Sequence, residues 1–317
     1  MSTPNSIGLS GVAAVLPPQR HSLAELADRR RLRSDAAVLA DLGYTAAHLA
    51  DPDHDAAWLA RSAAAAALSD AGLAAESIDA VIWAGALPDS HVRPVPGDPL
   101  LARFAYSASW LQHELGLHRA SVHGVAQQGC GGMFSALRMA HALLAAEPDL
   151  QHVLCVGVDV LPADAPREIL YTLISDAAAG VVVSRRSPRD RWLGFHQVSK
   201  GYYWDVPARQ NEIIASYFPT SRLVITELLA RHGLTPADID CIVPTGIGAG
   251  SWDVLTQLCG LDPARLHRGR AFGHTIAADS FLHLADLRAA GALRPGARVL
   301  LFTYGFGSSW CGLLLDH

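Results

Sequence analysis

One pattern occurs twice in this chain and limits the folds that the chain can adopt. Residues 72–85 read Gly-Leu-Ala-Ala-Glu-Ser-Ile-Asp-Ala-Val-Ile-Trp-Ala-Gly, and residues 233–246 read Gly-Leu-Thr-Pro-Ala-Asp-Ile-Asp-Cys-Ile-Val-Pro-Thr-Gly. Each copy follows a predicted helix, at 55–71 and at 221–232, and its first Gly is the residue expected just past a helix C-terminus. Each copy then runs through Ile-Asp into an apolar stretch typical of a buried strand. The order of helix, glycine, short linker and strand is therefore present twice.

Other segments also have second copies. Residues 152–160 resemble residues 297–304, and an apolar strand follows each of them, at 177–183 and at 310–315. Strands that alternate with helices favour an α/β fold with mostly parallel sheets. We therefore expect an internally duplicated α/β chain with halves at residues 1–185 and 186–317. No linker rich in Pro, Ser or Gly separates the halves, so we expect them to pack as one body.

The composition supports a large core and argues against some classes of partner. Of the 317 residues, 50% are hydrophobic and 17% are charged, which is enough for one large domain or two fused halves. The net charge of −5 argues against nucleic acid. No apolar run of about 18 residues and no signal peptide are evident, so we expect no membrane span. The five cysteines show no metal-binding spacing, and an odd number of them fits a reducing cytoplasm.

Cys130 lies where a strand is predicted to turn into a helix. Residues 127–132 read Gln-Gln-Gly-Cys-Gly-Gly, between an apolar run at 121–126 and a helical pattern at 133–146. Backbone N–H groups and the dipole at a helix N-terminus favour a thiolate, which is the reactive form of cysteine. The pattern therefore indicates a nucleophile. The local sequence leaves one alternative open, a buried structural cysteine beside packing glycines.

Three motifs together resemble the thiolase superfamily, and within it the ketoacyl synthase III type. Residues 127–140 are similar to the family's nucleophile turn and helix. Residues 272–278 resemble its Gly-Asn-Thr-Ser-Ala-Ala motif, and residues 304–310 resemble its C-terminal glycine-rich loop. The resemblance implies a thiolase-like fold with layers in the order α-β-α-β-α and two mixed, mostly parallel sheets. It places the nucleophile in the first half, and the histidine motif and the oxyanion loop in the second half.

Two positions depart from the family pattern. Ordinary members carry a histidine in a Pro-His-Gln-Ala-Asn segment, and Thr245 stands at that position here. Ordinary members carry asparagine in Gly-Asn-Thr, and His274 stands at that position here. Losing a hydrogen-bond donor of this kind costs about 3 kcal/mol of transition-state stabilisation. Efficient decarboxylative condensation of a malonyl thioester is therefore disfavoured.

His274 and Asp279 suggest a different catalytic set. Imidazole titrates near neutral pH, and Asp279 follows His274 by slightly more than one helical turn, so it can orient the ring. With Cys130 these residues supply the nucleophile, base and orienting carboxylate of a triad. The set resembles an acyltransferase branch of the family, which includes the malonyltransferase of cervimycin biosynthesis. An ordinary carboxylate in the first turn of a helix is the alternative for Asp279.

The resemblance also implies further site residues. Backbone N–H groups of Cys130 and Phe306 would form the oxyanion hole. Candidates for the substrate pocket are Thr245, Tyr202, Trp204 and Arg167, the last as a phosphate contact. We interpret His283 as a satisfied or exposed histidine and expect no metal site.

The donor site departs from the family pattern as well. Ordinary members that bind coenzyme A carry a Trp-Ile-x-x-Arg-Thr-Gly-Ile segment, which corresponds to residues 37–44 here, with Asp41 at the arginine position. A carboxylate there would repel phosphate. The donor is therefore expected to be an acyl group on a carrier protein, or an acyl-CoA held differently, with no bound cofactor.

The sequence predicts an acyltransferase with a ping-pong mechanism. It would move an acyl group from a CoA or carrier-protein thioester, through acyl-Cys130, to an oxygen, nitrogen or sulfur acceptor in secondary metabolism. We expect a cytoplasmic homodimer. Two alternatives remain open: a condensing enzyme that forms C–C bonds with a Cys-His dyad, and an inactive partner subunit of a heterodimer.

Overall fold

The computed structural model describes residues 6–246 and 248–317, apart from the side chain of residue 249, so residues 1–5 of the first predicted half lie outside the described part. Its α-helices are α1 (Leu23–Asp28), α2 (Ala36–Asp41), α3 (Ala56–Ala71), α4 (Ser107–Glu114), α5 (Gly132–Ala146), α6 (Val206–Arg231), α7 (Ala249–Cys259) and α8 (Asp279–Ala289). Its strands are β1 (Gly8–Val15), β2 (Arg20–Ser22), β3 (Ala46–His48), β4 (Ala80–Ala84), β5 (Ser121–Val125), β6 (His152–Asp159), β7 (Glu168–Ile169), β8 (Thr172–Leu173), β9 (Ala177–Ser184), β10 (Arg191–Ser199), β11 (Cys241–Val243), β12 (Arg298–Gly305) and β13 (Ser309–Asp316).

The sequence repeat corresponds to a structural repeat. Helix α3 leads through Gly72 and a short 3-10 turn into β4, and α6 leads through Gly233 and a matching turn into β11. Gly72 has φ +65° and Gly233 has φ +64°, a conformation that glycine adopts without strain. The aspartate of each Ile-Asp pair accepts a hydrogen bond from the start of the neighbouring strand: Asp79 from His152 N and Asp240 from Arg298 N. The predicted internal duplication is therefore confirmed.

The strands form one mixed sheet in the order β11-β12-β13-β10-β1-β9-β6-β4-β5. The two predicted sheets are the two parts of this nine-stranded sheet, which β1 and β10 join through the single pair Gly8 and Arg191. This pairing gives hydrogen-bond partners to backbone N–H and C=O groups that would be unpaired at the edge of a sheet. Parallel pairs lie at the two outer ends of the sheet, and the central pairs are antiparallel. β6 pairs with β9, and β12 pairs with β13. No crossover helix lies between the two strands of either pair, so both pairs are antiparallel.

Three apolar clusters show the layers of the fold. Helix α3 covers the outer face of the first half, with residues such as Leu59 and Val156. Helices α5 and α8 lie between the two halves, where Phe134 packs beside Phe281. Helices α6 and α7 cover the outer face of the second half. The order α-β-α-β-α is therefore as expected, with Cys155, Cys241 and Cys311 buried in the core.

Small residues set how closely α3 packs on the sheet. A Cβ at Gly11 would clash with the Ala67 carbonyl, and a Cβ at Gly180 would clash with the Ala63 carbonyl. The alanine-rich α3 therefore lies directly on β1 and β9, with its backbone against theirs. Close packing of this kind fixes the position of the first half's strands, including the end of β6 near the site.

Helix α6 is, within the described part of the chain, long and apolar enough to cross a membrane, with an 18-residue window of mean hydropathy 1.2. From the sequence we expect no membrane span, because no apolar run reaches about 18 residues. Val224 and Leu228 of α6 pack against residues of β12 and β13 such as Phe302 and Trp310. A core helix meets the same length and composition criteria, so α6 alone is weak evidence for a membrane span.

Candidate active site

Cys130 lies at the strand-to-helix turn that the sequence predicts. It occupies the 3-10 turn Gly129–Gly131, which follows β5 and leads directly into α5. Gly129 has φ +49° and Gln127 has φ +66°, so the chain bends sharply before the cysteine. Cys130 is partly exposed and packs against an apolar cluster that contains Leu161, Ile174 and Ile276. The thiol therefore has apolar surroundings on one side and a helix N-terminus beside it.

The glycine-rich loop lies against this turn. A Cβ placed on Gly129 would lie 2.5 Å from the nitrogen of Phe306, and one placed on Gly305 would lie 2.9 Å from the nitrogen of Cys130. Only a backbone without side chains at both glycines permits this approach. The geometry thus brings the backbone N–H groups of Cys130 and Phe306 to the same small region, and their role as an oxyanion hole stays a prediction.

His274 reaches Cys130 from the other half of the chain. Its backbone is held by the segment that ends in β8, because His274 N donates to Leu173 O at 2.7 Å and its carbonyl accepts from Ser175 N at 2.9 Å. The ring is 4% exposed, and its Nε2 lies 3.1 Å from the Sγ of Cys130. The two residues are 144 positions apart in the sequence. The structure therefore brings the predicted nucleophile and base into contact.

Asp279 lies on the opposite side of the His274 ring. Its Oδ2 is 3.2 Å from Nδ1 of His274, although the N–H direction does not give a hydrogen bond of good geometry within the described structure. The carboxylate also accepts from Thr275 N and Thr275 Oγ1, each at 3.0 Å, and from Gly246 N. Asp279 therefore holds the turn after His274 and the segment after β11, in addition to facing the ring.

Burial and neighbouring charges have opposite effects on the pKa values of His274 and Asp279. Burial by itself lowers the pKa of His274, but the negative charges of Asp279 and Cys130 outweigh it and raise that pKa well above its ordinary value. Burial would raise the pKa of Asp279, but the charge of His274 and the hydrogen bond from Thr275 N lower it overall. The two shifts therefore favour the imidazolium form of His274 and the carboxylate form of Asp279. The Nε2 of His274 is 3.1 Å from the Sγ of Cys130, close enough for a proton to pass between them.

The turn between His274 and Asp279 is strained and is held by a buried acid. Ile276 has φ +54°, which is costly for a β-branched residue. Asp159, at the end of β6, accepts from Ala277 N and from Ala86 N, each at 3.0 Å. Burial raises the pKa of Asp159 to about 7, and these backbone hydrogen bonds oppose that rise. We did not expect a role for Asp159 from the sequence, and only its position at a strand end hinted at one.

Thr245 lies beside this set in the place of the family's histidine. It is 2% exposed, and its Oγ1 has no hydrogen-bond partner among the described residues. Its carbonyl accepts from Trp252 Nε1 at 2.8 Å. Tyr44 Oη donates to Gly246 O at 2.9 Å and accepts from Gly248 N at 3.0 Å, so it braces this segment on both sides of Ile247, which lies outside the described residues.

Two further predicted pocket residues, Tyr202 and Trp204, lie at the surface. Tyr202 and Trp204 are 58% and 77% exposed on the segment that precedes α6. Neighbouring residues connect that segment to the glycine-rich loop, through Lys200 N to Ser308 O at 2.9 Å. Their role as pocket walls stays a prediction.

Arg167 is not available as a phosphate contact, which corrects the expectation. It is 1% exposed, and its guanidinium pairs with Asp176 at 2.5 Å in the interior. A buried and already paired charge cannot meet a phosphate without losing its partner. Sequence reasoning missed this because Asp176 stands at the start of an apolar strand and gave no signal of pairing.

Metal-binding groups do not cluster in the part of the chain that the structure describes. No set of three or more His, Cys, Asp or Glu side chains there is arranged to hold a metal ion. The described site therefore consists of a thiol, an imidazole, a carboxylate and backbone N–H groups.

Two family models match the chain. The model described as 3-oxoacyl-[acyl-carrier-protein] synthase III matches residues 126–201, and the model of the C-terminal part of the same family matches residues 229–317. Together they match about half of the chain and contain Cys130, His274, Asp279 and Phe306.

Curated and solved relatives extend the match to nearly the whole chain. A beta-ketoacyl-[acyl-carrier-protein] synthase III from Rhodospirillum rubrum is 27% identical over 97% of this chain and 98% of its own length. The crystal structure of 3-oxoacyl-[acyl-carrier-protein] synthase III from Aquifex aeolicus superposes with a TM-score of 0.84 at 19% identity, covering 98% of this chain and all of that one. A structure described as the acyltransferase ChlB3 superposes with a TM-score of 0.82 at 21% identity, covering 98% of this chain and 97% of that one.

These similarities confirm the thiolase-like α/β fold and agree with the duplicated halves and the glycine-flanked cysteine turn. The chain belongs to the ketoacyl synthase III type of the thiolase superfamily, a family of transferases.

Proposed function

We propose that this protein is an acyltransferase that works through an acyl-Cys130 intermediate and passes the acyl group to an oxygen, nitrogen or sulfur acceptor in secondary metabolism. The observation that carries the proposal is the line of contacts from Sγ of Cys130 to Nε2 of His274, and from Nδ1 of His274 to Asp279. A nucleophile, a base and an orienting carboxylate in this order suit acyl transfer.

The first step forms the acyl-enzyme. The Cys130 thiolate attacks the thioester carbonyl, and the N–H groups of Cys130 and Phe306 stabilise the oxyanion. When the intermediate collapses, the C–S bond of the donor breaks, and the leaving thiolate takes the proton from the His274 imidazolium. His274 is then neutral, and Cys130 carries the acyl group.

The second step transfers the acyl group. Neutral His274 removes the proton of the acceptor while the acceptor attacks the acyl-Cys130 carbonyl. The C–S bond to Cys130 breaks, which restores the thiolate and the imidazolium. The carboxylate of Asp279 stabilises the imidazolium that forms, as expected from the raised pKa of His274.

Thr245 supports acyl transfer over decarboxylative condensation. Stabilising an enolate after loss of CO2 calls for strong donors, and a threonine hydroxyl in place of an imidazole supplies a weaker one. We expect little CO2 from labelled malonyl thioester. Rapid release of labelled CO2 with formation of a C–C bond would contradict the proposal.

The donor is an acyl thioester of CoA or of a carrier protein, and no resident cofactor takes part in either step. The curated relatives are named for synthesis on acyl-carrier protein, which supports a thioester donor. The name of the structural neighbour ChlB3 supports acyl transfer on this fold, although its 21% identity shows the fold alone. Condensation remains the second candidate, since those curated relatives are ketoacyl synthases.

Intact-mass spectrometry tests the proposal. We expect a single acyl adduct after incubation with acetyl-, propionyl- or malonyl-CoA, or with the same groups on a carrier protein. The adduct should be absent in Cys130→Ala and present in Cys259→Ala, a matched control because Cys259 is buried in α7. An unmodified protein with every donor would favour an inactive subunit.

A further inference from the structure

Asp159 lies at the C-terminal end of β6, next to the turn that joins His274 to Asp279. It is 1% exposed, and each of its carboxylate oxygens accepts from a different backbone N–H. Oδ2 accepts from Ala277 N and Oδ1 accepts from Ala86 N, both at 3.0 Å. A carboxylate that is bonded on both oxygens cannot rotate without losing a hydrogen bond. The side chain is therefore fixed between two segments that are far apart in the chain.

The end of β6 is bound to the loop that follows β4. Strands β4 and β6 are parallel neighbours, so their C-terminal ends lie side by side. Ala86, in the loop after β4, donates to Asp159, and Val160 N donates to Oγ of the fully buried Ser90 at 2.9 Å. Hydrogen bonds in both directions thus connect the loop and the end of the strand. Asp159 therefore has a rigid support from which to hold the catalytic turn.

The turn after His274 depends on support from outside. Ile276 has φ +54°, a conformation that a β-branched residue keeps only where the surrounding structure holds it. Its side chain belongs to the apolar cluster that packs against Cys130. Ala277 directly follows Ile276, so the hydrogen bond from Ala277 N to Asp159 opposes relaxation of the strained residue.

Movement of this turn changes the geometry of the catalytic set. His274 N donates to Leu173 O at 2.7 Å, and Asp279 accepts from Thr275 N at 3.0 Å. Ala277 lies between these anchored positions and Asp279 in the chain. A shift at Ala277 therefore alters the 3.2 Å separation between Nδ1 of His274 and Oδ2 of Asp279.

The charge of Asp159 also acts on His274. Burial raises the pKa of Asp159 to about 7, against two backbone hydrogen bonds and the charge of His274, which lower it; the charge of Asp176 also raises it. The interaction with His274 is mutual, so an ionised Asp159 favours the imidazolium. Further ionisable groups that act on the ring are Asp279, Cys130 and His283.

We propose that Asp159 is a positioning residue: it holds Ala277 and, through the turn, fixes the His274 ring against Asp279. The assignment goes beyond the proposed acyl-transfer function, and only its effect on the transfer rate rests on that function. Both oxygens of Asp159 bond to backbone N–H groups, so it acts through the turn and not on the reacting atoms. A misplacement of about 1 Å lowers an enzymatic rate by about 10²-fold, so this hold controls activity from a distance.

Asp159→Asn tests the position of the ring without turnover. The amide keeps the shape of the carboxylate but has only one oxygen, so either Ala277 N or Ala86 N loses its acceptor. In protein with ¹³C-labelled histidines, the ring signal of His274 is assigned from His274→Gln. We expect this signal to titrate at lower pH in Asp159→Asn than in the wild type, because the ring loses part of its contact with Asp279 and the nearby charge of Asp159.

Asp79→Asn is the matched control, because the carboxylate of Asp79 bonds to the opposite end of β6. It accepts from Gln151 N at 2.7 Å and from His152 N at 3.0 Å, and its side chain is 9% exposed. His274 should titrate in Asp79→Asn as it does in the wild type. An equal shift in both variants would overturn the proposal, and so would an unchanged titration in folded Asp159→Asn. If Asp159→Asn does not fold, Asp159→Ser replaces it, since serine is smaller and keeps one polar acceptor.

The transfer rate is tested second, with acetyl-CoA as the donor and N-acetylcysteamine as the probe acceptor. The thiol of N-acetylcysteamine attacks acetyl-Cys130 and gives its proton to His274. Its sulfur forms the new C–S bond, and the C–S bond to Cys130 breaks. We expect Asp159→Asn to lower this rate by about 10²-fold, because the base is no longer aligned.

Ile276→Gly separates the hold on the turn from the charge of Asp159. Glycine adopts φ +54° without strain, so the turn needs less support in this variant. Adding Asp159→Asn to Ile276→Gly should therefore lower the transfer rate less than Asp159→Asn does alone. Equal losses in both backgrounds would mean that Asp159 acts through its charge, which would overturn the positioning role.

Failure of the acyl-transfer function would look different. Acetyl-CoA would then leave Cys130 unmodified in the wild type, while the titration of His274 would still differ between Asp159→Asn and Asp79→Asn.

Discussion

At the residue scale, the chemistry proposed for the site depends on whether His274 carries a proton. Burial acts to lower the pKa of His274, but Asp279 and Cys130, which lie on two sides of the ring, raise it overall. In the proposed mechanism the imidazolium stabilises the nucleophile and supplies the proton for the leaving thiol. In that mechanism, acylation removes the charge of the sulfur, so the pKa of His274 falls and the neutral ring, which can accept a proton, becomes more populated.

Replacing His274 should separate the two steps. In His274→Ala we expect acylation of Cys130 to continue slowly, because the nucleophile and the predicted oxyanion donors remain. Transfer to the acceptor then lacks its base, so the acyl-enzyme should accumulate. Time-resolved intact-mass spectrometry measures this accumulation. An acyl-enzyme that turns over as fast as in the wild type would show that another group removes the proton.

Replacing Asp279 should affect both activity and stability. Asp279→Asn keeps the shape but permits the wrong His274 tautomer, so turnover should fall by roughly 10⁴. The carboxylate also accepts from Gly246 N and from Thr275 N and Oγ1, so the free energy of unfolding should fall by about 2 kcal/mol. Denaturant unfolding and steady-state rates measure the two effects. Asp253→Asn, half exposed on α7, is the control. Near-normal turnover would indicate that Asp279 is an ordinary carboxylate in the first turn of α8 and does not orient His274.

The same pair should make stability depend on pH in a defined direction. The pKa of His274 is raised, so its contribution is full below its unfolded value of about 6.5 and is lost as the pH rises through the folded value. The pKa of Asp279 is lowered, so its contribution is present above about 3.9 and is lost as the pH falls through the folded value.

The Tm difference between wild type and His274→Gln measures this dependence. It should be larger at about pH 6 than at about pH 9, because the imidazolium is lost at high pH. An equal difference at both values would mean that folding does not raise the pKa of His274.

At the element scale, two glycines bring the β12–β13 turn against the cysteine turn. A side chain at Gly305 would clash with the carbonyl of Gln128 and lie 2.7 Å from the nitrogen of Gly131. The turn and the loop are both backbone at this point, so neither can give way by moving a side chain. The relative position of the two predicted oxyanion donors is therefore set by packing between elements.

Gly305→Ala should disrupt this packing. Backbone clashes should cost about 3 kcal/mol of folding free energy. Displacement of the Phe306 N–H should lower the acylation rate by roughly 10²–10³. The control is Gly250→Ala, near the start of α7, where no atom lies within 4 Å of an added Cβ. Its stability should stay within about 1 kcal/mol of wild type or increase. Normal acylation by folded Gly305→Ala would show that the Phe306 N–H is not an oxyanion donor.

At the scale of the whole molecule, the catalytic residues meet across the duplication. Cys130 comes from the first half, and His274 and Asp279 come from the second. Helices α5 and α8, which follow these motifs, pack together between the halves. The backbone of His274 is held by the segment around Leu173, so the site forms only when the halves are in contact. The exact boundary between the halves stays a prediction.

We expect the protein to be a homodimer. In the described structure β5 is the last strand of the sheet, and it pairs with β4 on one side. Its Val122 is 39% exposed, and the nearby segment 93–106 exposes Val95, Leu100, Leu101 and Phe104 by half or more. An open strand edge beside an exposed apolar patch favours association with a second copy. Light scattering at micromolar concentration should give twice the chain mass, 33.7 kDa, and a monomer would contradict the expectation.

The sequence by itself determined the features that depend on neighbouring residues. The repeated helix, glycine and strand, the cysteine turn and the start of α8 at Asp279 are local, since glycine conformations, helix ends and apolar periodicity are set within a few positions. The spacing of His274 and Asp279 was readable for the same reason. The sequence also shows that Thr245 stands where the family pattern has a histidine. It does not show that the hydroxyl of Thr245 lacks a hydrogen-bond partner among the described residues.

Tertiary structure decided whatever depends on residues far apart in the chain. It joined β1 to β10 into one sheet, paired Arg167 with Asp176, exposed Trp204 and placed Asp159 under the strained turn at Ile276. It also left the hydroxyl of Thr245 without a hydrogen-bond partner among the described residues. Burial and hydrogen bonding are properties of the packed chain, because a side chain's partners are fixed only when distant segments come together.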